Sequence, residues 1–352
     1  MTERNWKGAF HVDADHITRD TVTPFLPHAD FFTLDVSEHI GRPPDPALRE
    51  AFLTACSGLR GEQHLRGRQR PLSIEPGMAD RMADRFLGAI AEADGLYRRI
   101  AGKRAKIPSS RKSPWTKWTG PRHRWSCFSC SDDWFSGNPR PDHRARFSGQ
   151  FLKGVDYVGD PALFRREFED DLLVVAHAVR EFGLPGNLKL SIHSGSDKFS
   201  IYPVMGELVQ THQAGLHVKT AGTTWLEEVI GLALAGGDAL DLVRDIYAGA
   251  HARRESLCAP YAHVVRIDPA RLPAPSEFRS WNGTKVADAL RHCPECPGYR
   301  SDLRPLFHVG YKLAAEAGSR FLDALNLHRD LVAEQVRTNL YDRHIARLFN
   351  LT

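Results

Sequence analysis

The chain has 352 residues and 42% hydrophobic content, enough to bury a sizeable core in one large or two modest domains. Its formal charge of +4 is too small to argue for any partner by itself, and no apolar run reaches the roughly 18 residues that cross a bilayer. Six cysteines over this length form no disulfide framework, and Met1 to Lys7 contains no apolar signal core, so a cytoplasmic protein is expected.

Phe10-His-Val-Asp-Ala-Asp-His16 reads as a strand ending in acids, with His11, Asp13 and Asp15 on one face. Phe31–Val36 reads as a second strand, ending at Asp35. Pro46 to Ile100 has helical spacing (Leu48, Phe52, Leu53, then Met82, Phe86, Leu87, Ile90), interrupted by a Gly/Arg-rich break near Gly61–Arg70. From Arg98 to Arg124 acids are absent, and Pro108, Pro114, Gly120 and Pro121 break the pattern, which predicts a basic loop or insertion. Patterning resumes at Arg144–Gly149 and Gly154–Val158. A helix then opens at Pro161 with the apolar face Phe164, Phe168, Leu172, Val175 and Val179. Two short alternating stretches, from Lys189 and from Leu216, break at Gly195 and Gly222, and a helix follows from Thr224. The remainder reads as mostly helical, with short strands expected at Ala262–Ile267 and Leu306–Val309 and a long helix over Leu322–Leu348.

Strand–helix alternation over the first two thirds predicts a parallel α/β architecture. The expected organisation is a barrel-like α/β catalytic domain over 1–235, with a basic, Cys-containing insertion at about 98–140. A mainly helical region over 236–352 packs on it.

Strands that deliver His, Asp and Lys at their C-terminal ends and pass into Gly-containing loops are how α/β barrels build active sites. Alternation places Ser191 with His193, and His217 with Lys219. Side by side, two such strands direct two imidazoles and two ammonium groups into one small volume. His193 and His217 are candidate ligands for zinc, nickel or manganese, with Asp13, Asp15 or Asp197 as the oxygen ligand. The alternative is a pair of hydrogen-bonded core histidines. Lys198 and Lys219 suit a bound carboxylate or an enediolate, against structural ion pairs with Asp15 or Asp35. Asp15 is the candidate base, since neighbouring carboxylates push one pKa upward. Asp13, Ser194, Ser196, Asp197 and Thr220 complete the candidate substrate-binding set. Asp35 is expected to orient a neighbour, and Trp225 and Glu227 to pack or cap the following helix.

Cys127/Cys130 and Cys293/Cys296 each have zinc-knuckle spacing, and together they could close a four-cysteine structural zinc site; free thiols or a disulfide are the alternative. The basic segment (Arg98, Arg99, Lys103, Arg104, Lys106, Arg111, Lys112, Lys117, Arg122, Arg124) is interleaved with Trp115, Trp118 and Trp125. Such a run can bind nucleic acid, but a solvated loop, or a grip on an anionic substrate or partner subunit, is the preferred reading.

Several motifs resemble the tagaturonate/fructuronate epimerase family: Asp13-Ala-Asp-His16, Phe32-Thr-Leu-Asp35, Arg146-Phe-Ser-Gly149, Lys153-Gly-Val-Asp-Tyr-Val-Gly-Asp160, His193-Ser-Gly-Ser-Asp-Lys-Phe-Ser200 and His217-Val-Lys-Thr-Ala-Gly222. Leu306-Phe-His-Val309 and His344-Ile-Ala-Arg-Leu348 match more weakly. The resemblance implies a metal-dependent hexuronate epimerase on a TIM-barrel-like parallel β/α fold, acting on a small anionic keto sugar acid. It also implies inversion at a hydroxyl-bearing carbon two bonds from a ketone, for which retro-aldol cleavage and re-addition is the expected route.

The family's leading barrel strands, and its acidic Glu-x-Ser-x-Asp-Glu-Thr strand, have no counterpart ahead of Asp13 or around Trp125–Trp134. The expected barrel is therefore N-terminally incomplete or rearranged. Its edge would be covered by a second copy, a companion subunit or the insertion. The alternatives are a non-epimerising binding or regulatory relative, and a Schiff-base aldolase using Lys219.

Overall fold

The structure is a computed structural model that describes all residues except 1–7, 9, 60, 105–146, 183–185, 187, 193–194, 219, 221–222, 263 and 352. The chain divides into two compact units, one of Met1–Arg146 with Leu173–Leu188, the other of Phe147–Leu172 with Lys189–Thr352. This differs from a division at residue 235. The later helices share one core with the segment that follows the second strand pair, so they belong to the same unit.

In the first unit, β1 (Asp13–Ile17) pairs in parallel with β2 (Phe31–Leu34). Alternation buries Ala14 and puts Asp13 and Asp15 together on the opposite face, as the pattern predicted, and that face lies at the surface. His16 then adopts φ 52°, the register shifts, and Ile17 returns to the core in its place. Helix α1 (Pro46–Cys56) starts at Asp45, whose carboxylate accepts from the Leu48 amide at 3.1 Å and so satisfies one of the helix's unpaired donors. Its Phe52 packs with Phe86, Leu87 and Ile90 of α2 (Met78–Arg104). The break expected near Gly61–Arg70 holds an antiparallel hairpin of β3 (Gly61–Gln63) and β4 (Leu72–Ile74).

Helix α3 (Pro161–Phe182) gives its residues up to Leu172 to the second unit and those from Leu173 to the first. In the second unit, β5 (Lys189–Ile192) and β6 (Gly215–Val218) pair in parallel, with Ser191 opposite His217. Helix α4 (Tyr202–Thr211) connects them. Next come α5 (Thr223–Ala235), α6 (Gly237–Ala252), α7 (Arg254–Cys258), α8 (Pro275–Ser280), α9 (Gly283–Leu290) and α10 (Leu303–Val309). Val229, Ile230, Val243, Val286, Leu290 and Phe307 anchor their shared core. The chain closes with α11 (Tyr311–Ala317), α12 (Ser319–Leu327), α13 (Arg329–Arg337), a π-helical segment Thr338–Ile345 and α14 (Ala346–Phe349).

Four expectations are corrected. The described strands form three two-stranded sheets of three to five residues per strand, and among the described residues no barrel closes. The TIM-barrel-like expectation reduces to two local parallel strand pairs within an α/β fold, of which β5–β6 is joined by an α-helix. Leu306–Val309 is the end of helix α10, since Pro305 falls in the first turn, where a missing N–H costs nothing. Ala262–Ile267 carries no strand among its described residues. The long final helix is instead several shorter pieces, interrupted at His328 and by the π-helical segment. Among the described residues, no helix is long and apolar enough to cross a membrane.

Candidate active site

The parallel pairing of β5 and β6 sends both strands into their loops from neighbouring ends. At Ser191, opposite His217 in the register, the hydroxyl lies 3.0 Å from His217 Nδ1. The hydrogen bond fixes the ring's orientation, as an outer partner does for a ligating histidine.

The loop after β5 turns at Asp197, whose φ of 58° is left-handed, a conformation that Asp tolerates better than most residues. Its carboxylate meets the Arg304 guanidinium at 2.6 Å, with side-chain exposures of 2% and 0%. Its backbone amide donates to His344 Nε2 at 3.1 Å. An imidazole that accepts at Nε2 carries its proton on Nδ1, and His344 Nδ1 donates to the Asn339 carbonyl at 2.8 Å. Burial holds His344 below its ordinary pKa, which suits the neutral ring. Burial by itself would raise Asp197, but Arg304, with His292, His344 and Lys198, outweighs it and brings the pKa down to about 2.

Each nitrogen of Arg304 donates a hydrogen bond. Besides Asp197 it donates through Nε to the Gly154 carbonyl at 2.7 Å and through Nη1 to the Leu290 carbonyl. Gly154 has φ +78°, and a Cβ there would come within 3.1 Å of the Arg304 backbone. Only glycine allows this approach.

Lys198 is the second buried cation. Its Nζ donates to the carbonyls of Leu152, Val155 and Ser196 at 2.9, 2.6 and 2.9 Å. Burial lowers its pKa to about 8 against the pull of Asp197 and Asp156. All three donors of the ammonium are used on the backbone, which corrects its assignment as a binder of substrate oxygens. Asp197 is corrected likewise. Buried against Arg304, it holds its loop and does not face a ligand. Tyr202 adds a donation from its hydroxyl to the Gly195 carbonyl at 2.5 Å and accepts from the Lys198 amide at 3.3 Å.

Around this centre lie groups that periodicity could not find. Glu227 accepts from Asn339 Nδ2 at 2.7 Å, and burial raises its pKa to about 7. Burial lowers His292 to about 3. Phe199 packs its ring against His292 and His344 at 5.2 and 5.1 Å, under the Arg343 guanidinium at 4.2 Å. The π-helical segment explains how Asn339 and His344 are both buried. Five residues apart, they fall on different faces of an α-helix, whereas i→i+5 winding brings them together.

The remaining expected residues fall as follows. Ser196 is half-buried, its hydroxyl 3.4 Å from His344 Nε2. Thr220 is half-buried after β6. His193, Ser194 and Lys219 lie outside the described residues, as do Cys127, Cys130 and most of the basic insertion. Cys293 and Cys296 are joined to each other in a disulfide, so that pair offers no thiolate to the expected zinc site. In the first unit, Asp13 accepts from the Thr33 hydroxyl at 3.1 Å, and Asp15 pairs with His16 at 2.9 Å on the surface. His11 pairs with Asp30 at 3.0 Å, and Asp35 accepts from the Ser37 hydroxyl at 2.6 Å. Among the described residues, no three His, Cys, Asp or Glu side chains gather to hold a metal ion. His217 suits a ligand; Asp197, held by Arg304, does not.

Short parallel strands backed by helices, with motif loops at their C-terminal ends, define an α/β protein of the kind that places its chemistry beyond the strand ends. A sequence profile for tagaturonate epimerase (UxaE) matches residues 143–348, more than half of the chain. The tagaturonate/fructuronate epimerase of Thermotoga maritima is 27% identical over 97% of this chain and 68% of its own length. The fold is similar to the native crystal structure of the fructuronate-tagaturonate epimerase UxaE from Cohnella laeviribosi, with TM-score 0.66 and 20% identity over 98% of this chain and 69% of that one. Its glycerol-complexed form gives 0.65. The chain belongs to the tagaturonate epimerase family and is, by that membership, a sugar-acid epimerase, an isomerase.

Proposed function

We propose that this protein interconverts epimers of a ketohexuronate of the tagaturonate/fructuronate type, with a divalent metal ion, by retro-aldol cleavage and re-addition. The observation that carries the reading is the in-register pairing of Ser191 with His217, which brings the two family motifs out of neighbouring strand ends. His193 and His217 would hold the ion, and zinc, manganese and nickel all accept imidazole. When bound, the ion would neutralise charge developing on the keto sugar acid. Ser191 orients His217. Lys219 and Thr220, on the loop after β6, are the proposed partners of the anionic oxygens.

The inverted carbon lies two bonds from the ketone, so its C–H is not acidified by it. In the proposed route a base takes the proton of the hydroxyl on that carbon, and the adjacent C–C bond breaks. The electron pair passes to the ketone as an enediolate. The resulting aldehyde then presents its other face, the bond re-forms, and the proton returns to the new alkoxide.

The test is turnover of purified protein on tagaturonate and fructuronate, with zinc, manganese or nickel added and after chelation. The reading expects interconversion that chelation abolishes, metal restores, and His217→Ala reduces by at least about 100-fold in kcat/KM. Turnover that survives chelation would remove the metal from the reading. Turnover of neither compound with any of these ions would favour the non-epimerising alternative. A borohydride-trapped adduct at Lys219 would favour the aldolase.

A further inference from the structure

We propose that Arg304 is a positioning residue for the reaction: it fixes, through Asp197, the loop Gly195–Lys198 at the C-terminal end of β5. The inference rests on the functional reading above but stands on its own geometry. A four-residue loop is gripped at every turn. Arg304 holds the Asp197 carboxylate at 2.6 Å, and His344 holds the Asp197 amide at 3.1 Å. Tyr202 holds the Gly195 carbonyl at 2.5 Å, and Lys198 ties the Ser196 carbonyl to those of Leu152 and Val155. Arg304 also binds the Gly154 carbonyl at 2.7 Å, so one guanidinium joins the β5 loop to the Lys153–Tyr157 segment.

A core that needed only stability would be served as well by apolar side chains, because buried ion pairs rarely add net stability. Buried polar networks rigidify and specify a single arrangement, and here Arg304, His344, Tyr202 and Lys198 each make at least one bond to the same loop. Asp197 itself sits at φ 58°. Asp, Asn and Gly all accept that conformation, so its backbone and charge roles can be separated by substitution.

The experiment compares wild type with Arg304→Lys, Asp197→Asn, Asp197→Gly and the milder Tyr202→Phe. Each is measured by hydrogen exchange of the Gly195–Ser200 amides and by steady-state epimerisation. The folded fraction is taken from circular dichroism. The expected result is a rise in exchange in this loop at least tenfold greater than any rise in helices α5 and α6 of the same variant. Alongside it, kcat should fall about 100-fold, as for an ångström-scale misplacement, with KM within about threefold. Asp197→Gly should be no better than Asp197→Asn, since the charge and not the backbone angle is what Arg304 reads.

Loop protection equal to wild type in Tyr202→Phe and Asp197→Asn would overturn the proposal. So would full activity in Asp197→Gly, or activity lost only in proportion to the unfolded fraction. If Arg304→Lys fails to fold, Tyr202→Phe decides, because it removes two loop bonds and keeps the ring. If wild type turns over neither hexuronate, the functional reading fails, while the exchange data still decide whether the clamp exists.

Discussion

The strand pairs β1–β2 and β5–β6 are built alike, each parallel, four or five residues long and running into a polar loop. Their charges are treated in opposite ways. Within the C-terminal half of β1, Asp15 and His16 pair in solvent with exposures of 47% and 41%. After β5, Asp197 and Arg304 pair at 2% and 0%. An exposed pair gains little over its hydration and is screened by salt. A buried pair cannot lose one member without stranding the other charge. The same local pattern therefore makes a replaceable surface feature in one unit and an obligatory element in the other.

The largest test of that contrast is Arg304→Met, which strands the Asp197 carboxylate, or Asp197→Asn, which strands the guanidinium. Each is expected to cost about 3–5 kcal/mol in urea unfolding. Lys198→Met leaves the Leu152, Val155 and Ser196 carbonyls without their donor, and about 2–3 kcal/mol is expected. Ser200→Ala removes a hydroxyl that donates to Asp156 at 2.9 Å near the surface, and should cost about 1 kcal/mol. Asp15→Asn should stay within about 0.5 kcal/mol. If the surface and buried substitutions cost the same, the comparison breaks.

A pH series sharpens it. Burial raises Glu227 from its ordinary 4.5 to about 7, so its contribution is complete below 4.5 and is lost as pH rises through about 7. Wild-type stability should therefore fall relative to Glu227→Gln between pH 5 and 8. Asp197, lowered from 3.8 to about 2, runs the other way. Its contribution is present above 3.8 and is lost as pH falls through about 2. Unfolding of wild type and Glu227→Gln across pH 5–8 checks the first sign. A gap that stays flat would mean that the Glu227 carboxyl is not held in its neutral form.

The strand pairs were legible because each is local. Alternation over a few residues placed Asp13 and Asp15 on one shared strand face and set Ser191 on the face expected to carry the loop histidine, but it did not show that the Asp13 face is exposed. The clamp was not legible. Arg304 meets Asp197 across 107 residues, and His344 meets the same residue across 147, so no spacing within a helix or strand could reveal either pairing. Lys198 was misassigned because its partners are backbone carbonyls, which leave no mark in a sequence. One signal was present. Arg304 stands alone among Leu303, Pro305, Leu306 and Phe307, and a lone charge in an apolar run implies a buried partner. The weakly matching His344 motif also marked the segment that supplies Asn339 and His344. The strand expected at Leu306–Val309 failed because apolar runs of that length suit helix and strand equally.

The proposal that the loops beyond β5 and β6 serve a hexuronate epimerase requires a carbon–carbon bond to break and re-form. The most direct test is proton NMR of the epimerisation in deuterium oxide with the metal that supports turnover. Retro-aldol chemistry carries the hydrogen of the inverted carbon through as an aldehyde hydrogen, so the account predicts product that retains protium there. Deuterium at that carbon would show removal of its C–H proton and would contradict the account.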